Sequence, residues 1–385
     1  MTDSYFATEY KTISREDKIV LAPRRLDYLE SLRGLAALFV FLHHHYMTAP
    51  IFLDVVRLTP LRFLINGRSS VIFFFVLSGF VIVYGIANSS RKFSYPNFVL
   101  RRIIRIYLPY AASGLIAIVC YFMLHPKPLF DTAITFNEMW SEHLRLGTVA
   151  QFLLLAGTPA ANTINSVAWS LVYELRISLL LPLLFLLGIR IPWVLWLFVV
   201  VELVANRFRQ DSVPFHGTDV FSSLDVTVHF VLPFVLGIFL AIRFSRGAIP
   251  DLDATPIRAG FLLCVALILL MIFRDESASL GAAILLFVAL GWRKFQDVLR
   301  WPLLIKLGTI SYSLYLTHAI VLQVMVRAFH GAIPLGVSLA LSLVASIGVA
   351  IVFYRFVEKP THRLSQWVGQ QAVPSRSGRP SGRAE

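Results

Sequence analysis

The sequence predicts an all-α integral membrane protein, a bundle of about ten transmembrane helices with both termini in the cytoplasm. Three observations predict it. Mean hydropathy is +0.71, and 57% of the 385 residues are hydrophobic against 15% charged, well above the apolar share of soluble chains. The apolar residues come in runs close to the length that crosses a bilayer. Basic residues gather in alternate loops, the pattern of cytoplasmic loops. No stretch free of membrane segments is long enough for a second domain, so residues 1–365 read as one polytopic unit. Residues 366–385, rich in Ser, Gly, Pro and Arg, read as a disordered basic tail. The formal net charge of +13 is loop charge, and no nucleic-acid partner is expected.

Taken in order, residues 1–30 are mixed and polar and end in Arg24 and Arg25. This polar lead, with no small-residue cleavage pattern after it, predicts no cleavable signal. Membrane helices are expected near 32–48, 71–88, 106–124, 167–188, 191–206, 225–243, 258–273, 278–291, 308–327 and 335–356. Residues 149–157 are too short to span and read as re-entrant or interfacial. No internal repeat of the inverted-topology kind is visible. The 89–105, 244–257 and 292–306 loops are basic, whereas Asp131, Glu138, Glu142, Asp275 and Glu276 mark the alternate ones. The 49–70 loop fits this orientation poorly, because Arg57, Arg62 and Arg68 fall on its outer side.

The first helix contains SLRGLAALFVFLHHHY, residues 31–46. At about 100° and 1.5 Å per residue, Arg33 and His44 lie roughly 20° out of register and roughly 16 Å apart. His43 falls about 80° to one side and His45 about 120° to the other, so only His44 shares the arginine's face. Charge on a membrane helix is costly unless something polar meets it, which makes the pair a functional candidate. An interfacial arginine with a wet histidine cluster is the plainer alternative.

In the second helix Ser78-Gly79 interrupts an aromatic run and reads as a close helix contact. In the third, Arg102 and Arg105 share a face at i, i+3. Their guanidinium forks suit phosphate oxygens and equally suit anionic lipid. The fourth places Ser170 and Glu174 at i, i+4 in apolar surroundings. Arg176 is about 200° round from Glu174, so the carboxylate needs a partner from another helix or a wet cavity. Asp225 and His229 form a possible i, i+4 pair near the interface, where a structural reading is favoured. The ninth helix aligns Ser311, Tyr315 and His318 in a polar stripe.

No G-x-S-x-G elbow, P-loop, Rossmann fingerprint or H-E-x-x-H is present. Three consecutive histidines splay around a helix and make a poor metal site, so no metal is expected. Cys120 and Cys264, both in apolar runs, offer no disulfide framework.

These motifs in this order resemble the membrane acyltransferase 3 family of bacterial O-acyltransferases. The resemblance rests on Arg33 and His44 in the opening helix, FFFVLSGF (73–80), the Arg102/Arg105 pair, NSVAWSLVYE (165–174), LGTISYSLYLTHAIVL (307–322) and FVEKP (356–360). It covers residues 26–363. Each motif alone is weak, and their order is specific. Thr317 stands where the family often has an aromatic residue, and no esterase-like domain follows, so the stand-alone membrane form is implied.

The resemblance implies an acyl-CoA donor, most often acetyl-CoA, and a hydroxyl acceptor on a carbohydrate or lipid-linked glycan. It implies a multi-pass protein of the bacterial cytoplasmic membrane, in contact with membrane lipid. Arg33, His44 and Glu174 carry over as catalytic residues and Arg33, Arg102 and Arg105 as donor-binding ones, with His44 as general base or acyl carrier and Glu174 placed to orient its ring. Trp169, Ser170, Tyr315 and His318 are candidate lining residues. A proton-coupled secondary transporter and a non-catalytic scaffold are the competing classes.

Overall fold

The computed structural model describes residues 26–49, 56, 58–89, 93–140, 144–155, 158–208 and 220–371. Arg24, Arg25, Arg57, Arg91, Lys92, Glu142 and the expected tail beyond Gln371 lie outside the described residues. Every regular element among the described residues is helical. Numbering the longer helices in chain order gives α1 (Asp27–Thr48), α2 (Gly67–Ala87), α3 (Tyr95–Leu124) and α4 (Trp169–Arg190). Then come α5 (Pro192–Phe208), α6 (Val220–His229), α7 (Val231–Ser245) and α8 (Pro256–Met271). The series ends with α9 (Asp275–Gly291), α10 (Ser311–Ala328), α11 (Leu335–Phe353) and α12 (Lys359–Gln371). Each of the expected apolar stretches falls on one or two of these.

By length and composition, 5 described helices can cross a membrane: α2, α3, α4, the continuous 222–245 stretch and the 335–370 stretch. Two bent pairs raise the number to 7: α9 with Arg293–Leu299 (99°), and Pro302–Thr309 with α10 (67°). The protein is thus an all-helical membrane protein, with fewer qualifying spans than the ten expected. Arg33 and three histidines dilute the apolar run of α1. Helices α5 and α8 have only 17 and 16 residues, short of the roughly 20 that cross hydrocarbon unaided. The expected tail also begins late, since α12 runs to Gln371. It is held against α3, where the Ser365 hydroxyl donates to the Arg101 carbonyl at 3.1 Å.

Long-range contacts define the two ends of the bundle. At one end Tyr312 donates to the Ile106 carbonyl (3.0 Å), Arg300 lies over the Tyr28 ring and α12 meets Arg101. At the other, Ala133 donates to the Thr48 carbonyl, Asn66 to Leu270, and Arg68 pairs with Asp275. The expected orientation places the first end in the cytoplasm. Engineered cysteines at Glu138 and Arg274, in a background lacking Cys120 and Cys264, should react with an impermeant thiol reagent added outside. Cysteines at Arg246 and Arg300 should not, and outside labelling at Arg300 would reverse the topology.

Small residues set the packing. A Cβ on Gly79 would collide with the Phe234 carbonyl and one on Gly237 with that of Val76, so α2 and α7 meet backbone to backbone. Gly34 and Gly308 do the same for α1 and the helix Pro302–Thr309. Residues 149–155 are the described part of the short 149–157 stretch. Its helix Leu146–Leu153 docks on α3, with the buried Phe152 ring stacked on Tyr110 at 4.3 Å.

Candidate active site

Helix α1 carries two polar clusters, one at each end of the Arg33–His44 face. Near its start, Arg33 (α1), Arg102 and Arg105 (α3), Glu174 (α4) and Glu358 come within electrostatic range of one another. Glu358 belongs to the wide turn Tyr354–Glu358 that follows α11. Its carboxylate accepts from the Ser313 amide (3.1 Å) and hydroxyl (2.5 Å), satisfying a donor of the first turn of α10. Glu174 accepts from the Ser78 hydroxyl at 3.0 Å. Ser78 therefore has a polar role beyond the close packing expected of it. Arg33 also faces Glu30 at 3.6 Å.

Arg102 is the unsatisfied member. Its Nε and Nη2 are buried and make no hydrogen bond among the described residues. Buried guanidinium donors without acceptors are expensive and invite an anion. The three arginines singled out from the sequence thus converge, and so does Glu174. Glu174 lies within electrostatic range of Arg102 and Arg105, and it is not among the titratable groups whose fields reach His44.

At the other end of the face, the three consecutive histidines part as helical geometry requires. The His43 Nδ1–H donates to the Ile65 carbonyl at 2.8 Å, and His45 Nε2 meets Ser342 Oγ of α11 at 2.7 Å. His44 turns between them. Its Nδ1 lies 2.9 Å from the Val40 carbonyl and 3.3 Å from Nε2 of His318 on α10, with ring centroids 5.0 Å apart. Its own Nε2 has no hydrogen-bond partner among the described residues. His44 lines a small cavity with Thr48, Thr135, Ser166, Met139 and Gln323. The cavity has hydroxyl and amide groups on otherwise apolar walls, which suits the approach of an acceptor hydroxyl.

The remaining expected residues divide. Ser170 and Tyr315 meet at 2.7 Å, and the Tyr315 hydroxyl donates to the Val167 carbonyl at 3.0 Å. Tyr315 reaches the site through His318, whose ring centroid is 6.1 Å away. Trp169 turns away and stacks near Arg68 and Phe230. Thr317 is buried and donates to the Ser313 carbonyl of its own helix. Asn165, at the head of the NSVAWSLVYE motif, is buried and donates to the Leu316 carbonyl at 2.9 Å, fixing the entrance of α4 against α10. Among the described residues no group of three or more His, Cys, Asp or Glu is arranged to hold a metal ion.

A separate ionic network was not anticipated. Arg68 grips Asp275 with both Nε (2.9 Å) and Nη2 (2.5 Å), and His229 bridges Asp275 (2.9 Å) and Glu202 (2.9 Å). These half-buried and buried charges tie α2, α5, α6 and α9 together. The carboxylates that hold the His229 ring come from other helices, whereas the sequence offered only Asp225. Arg68, which counted against the predicted orientation, is an intramolecular ion-pair member and not a free loop charge. Removing one partner of such a network strands the others, at about 3–5 kcal/mol. Asp275→Asn should therefore lower the thermal unfolding midpoint sharply, measured in detergent. An unchanged midpoint would show that solvent compensates the charges.

Comparison with known proteins agrees with the geometry. The chain is 27% identical over 370 residues to the acyltransferase MdmB of Streptomyces mycarofaciens, covering 88% of this chain and 92% of that one. No solved structure matches. A family model described as an acyltransferase domain matches residues 26–355, and with Arg33, His44, the paired arginines and α10 all inside that match, the chain belongs to the acyltransferase 3 family.

Proposed function

We propose that the protein is an O-acyltransferase that moves an acyl group, in the first instance acetyl, from acyl-CoA to a hydroxyl of a carbohydrate or lipid-linked glycan. The observation that carries this reading is the pairing of two unmet needs on one helix face. Nε and Nη2 of Arg102 lack a hydrogen-bond acceptor at one end, and His44 lines a cavity at the other. About 16 Å of helix separates Arg33 from His44, so a long, thin donor anchored by phosphates at the arginines would bring its thioester to the histidine. Arg33, Arg102 and Arg105 hold the phosphates. Thr48, Thr135 and Gln323 offer hydrogen bonds to the acceptor.

His44 then acts as general base. Its Nε2 takes the acceptor proton as the acceptor oxygen bonds to the thioester carbonyl carbon. The carbon–sulfur bond breaks, and the proton passes from His44 to the departing thiolate, restoring the neutral ring. An acyl-histidine route would use the same nitrogen as nucleophile. With the expected topology the donor is met on the cytoplasmic side of a bacterial inner membrane. Purified protein incubated with radiolabelled acetyl-CoA and a glycan extract should release CoA and label the glycan. Glycans from cells with and without the gene should differ by the acyl mass. An identical mass profile, with no CoA release, would refute the activity.

A further inference from the structure

His318 has a second ring contact that the reaction above leaves unused. Its Nδ1 lies 2.9 Å from the Leu314 carbonyl one turn earlier in α10. A carbonyl only accepts, so in the neutral ring the proton is on Nδ1 and Nε2 carries a lone pair. That lone pair is 3.3 Å from Nδ1 of His44. His44 Nδ1 is also 2.9 Å from the Val40 carbonyl. Both neighbours of His44 Nδ1 are therefore acceptors, and the two contacts are satisfied together only if this nitrogen bears the proton. The two acceptors share one bifurcated hydrogen bond, with Val40 on the short arm and His318 on the long one. His318 is fully buried and held by its own helix, so its lone pair cannot turn away.

We propose that His318 is a positioning residue for His44. With the Val40 carbonyl already holding the His44 proton on Nδ1, His318 adds a second acceptor to that N–H and so stabilises the imidazolium that forms when Nε2 takes the acceptor proton. The arrangement does for this site what a buried carboxylate does where an acid orients a catalytic imidazole, but with a neutral acceptor. Glu174, the acid expected beside His44, accepts from Ser78 and lies in the field of the arginines. The titratable groups whose fields reach His44 are His43 and His45 on its own helix and His318 on α10. His318 in turn faces His43, His45 and Tyr315.

This inference rests on the acyltransferase reading, and two variants with two readouts separate them. In His318→Gln the amide oxygen can reach the place of Nε2 and still accept, whereas His318→Leu fills the space with no acceptor. In His318→Leu, kcat should fall about 10- to 100-fold, the size of a hydrogen bond to a charged group, with both KM values little changed. Its acid limb should move to lower pH, because the His44 imidazolium loses stabilisation and the ring becomes a weaker base. His318→Gln should recover most of the rate and return the limb towards its place. Equal losses in both variants with an unmoved acid limb would overturn the positioning role, as would a His318→Leu rate within twofold of the parent. Nitrogen-15 spectra of histidine-labelled protein, with His44 assigned by its loss in His44→Ala, decide the tautomer without any activity. The Nδ1–H form should dominate in the parent and in both variants, since the Val40 carbonyl remains, while the Nδ1 resonance should shift in His318→Leu and return towards the parent position in His318→Gln. A parent His44 protonated on Nε2 refutes the inference whatever the enzyme transfers. Absence of acyl transfer by the parent refutes only the proposed function.

Discussion

Replacing His44 with alanine lowers kcat for acyl transfer by about 10²–10⁴-fold, the usual contribution of a general base, while the protein still inserts and folds. The expectation follows from how the three histidines are held. His43 and His45 spend their polar atoms on Ile65, Phe41 and Ser342, binding α1 to its neighbours. Their alanine variants should lose stability and keep kcat within a few-fold. His44 has a nitrogen to spare and a cavity before it. The measurement is single-turnover transfer by purified variants normalised to folded protein. Equal loss of rate from all three would contradict a role that belongs to one ring alone.

The second large effect falls on donor binding. Arg102→Ala removes a guanidinium with two buried, unpartnered nitrogens, and charge-assisted bonds to an anion are each worth about 1.5–3 kcal/mol. Acyl-CoA affinity should fall at least tenfold, with little change in the rate of the bound complex. Arg105→Ala should act in the same direction. Lysine keeps the charge and loses the fork, so Arg105→Lys should recover only part of the affinity. A purely lipid-facing role would behave otherwise, since lysine serves an anionic headgroup field nearly as well. Isothermal titration in neutral detergent, where that field is absent, discriminates. Unchanged affinity in both alanine variants would leave the arginines as a membrane belt.

Much of this site is legible in the residues because a helix is a ruler. The eleven-residue spacing of Arg33 and His44, and the splay of His43 and His45, follow from 100° per residue and survive unaltered in α1. The i, i+3 pairing of Arg102 and Arg105 is equally local. What needed a second helix was not legible. Glu174 was expected beside His44 and is found with Arg102. Its intramembrane cost announced that it had a partner, but not which one. Glu358 lay inside a motif, FVEKP, whose charge has meaning only once the chain returns to cap α10 next to Arg33 and Arg105. Arg68, Asp275 and His229 each looked like an interfacial charge, and Glu202 was not singled out at all. They become a network only because four helices meet there.

By itself, then, the amino-acid sequence determined that the protein is helical and lives in a membrane, since hydropathy and apolar run length depend on composition along one dimension. It determined which residues share a helix face, and, through the order of its motifs, the acyltransferase family. The tertiary structure alone decided what each face meets. It set His318 rather than a carboxylate against His44, left Arg102 without an acceptor, and turned Trp169 away from the site towards Arg68. The physical reason is that a buried polar group is satisfied by whichever acceptor or donor another helix brings within about 3 Å. Helix rotation and crossing set that distance through packing such as the glycine contacts of α2 with α7, and these pairings have no signature in the local spacing of either partner.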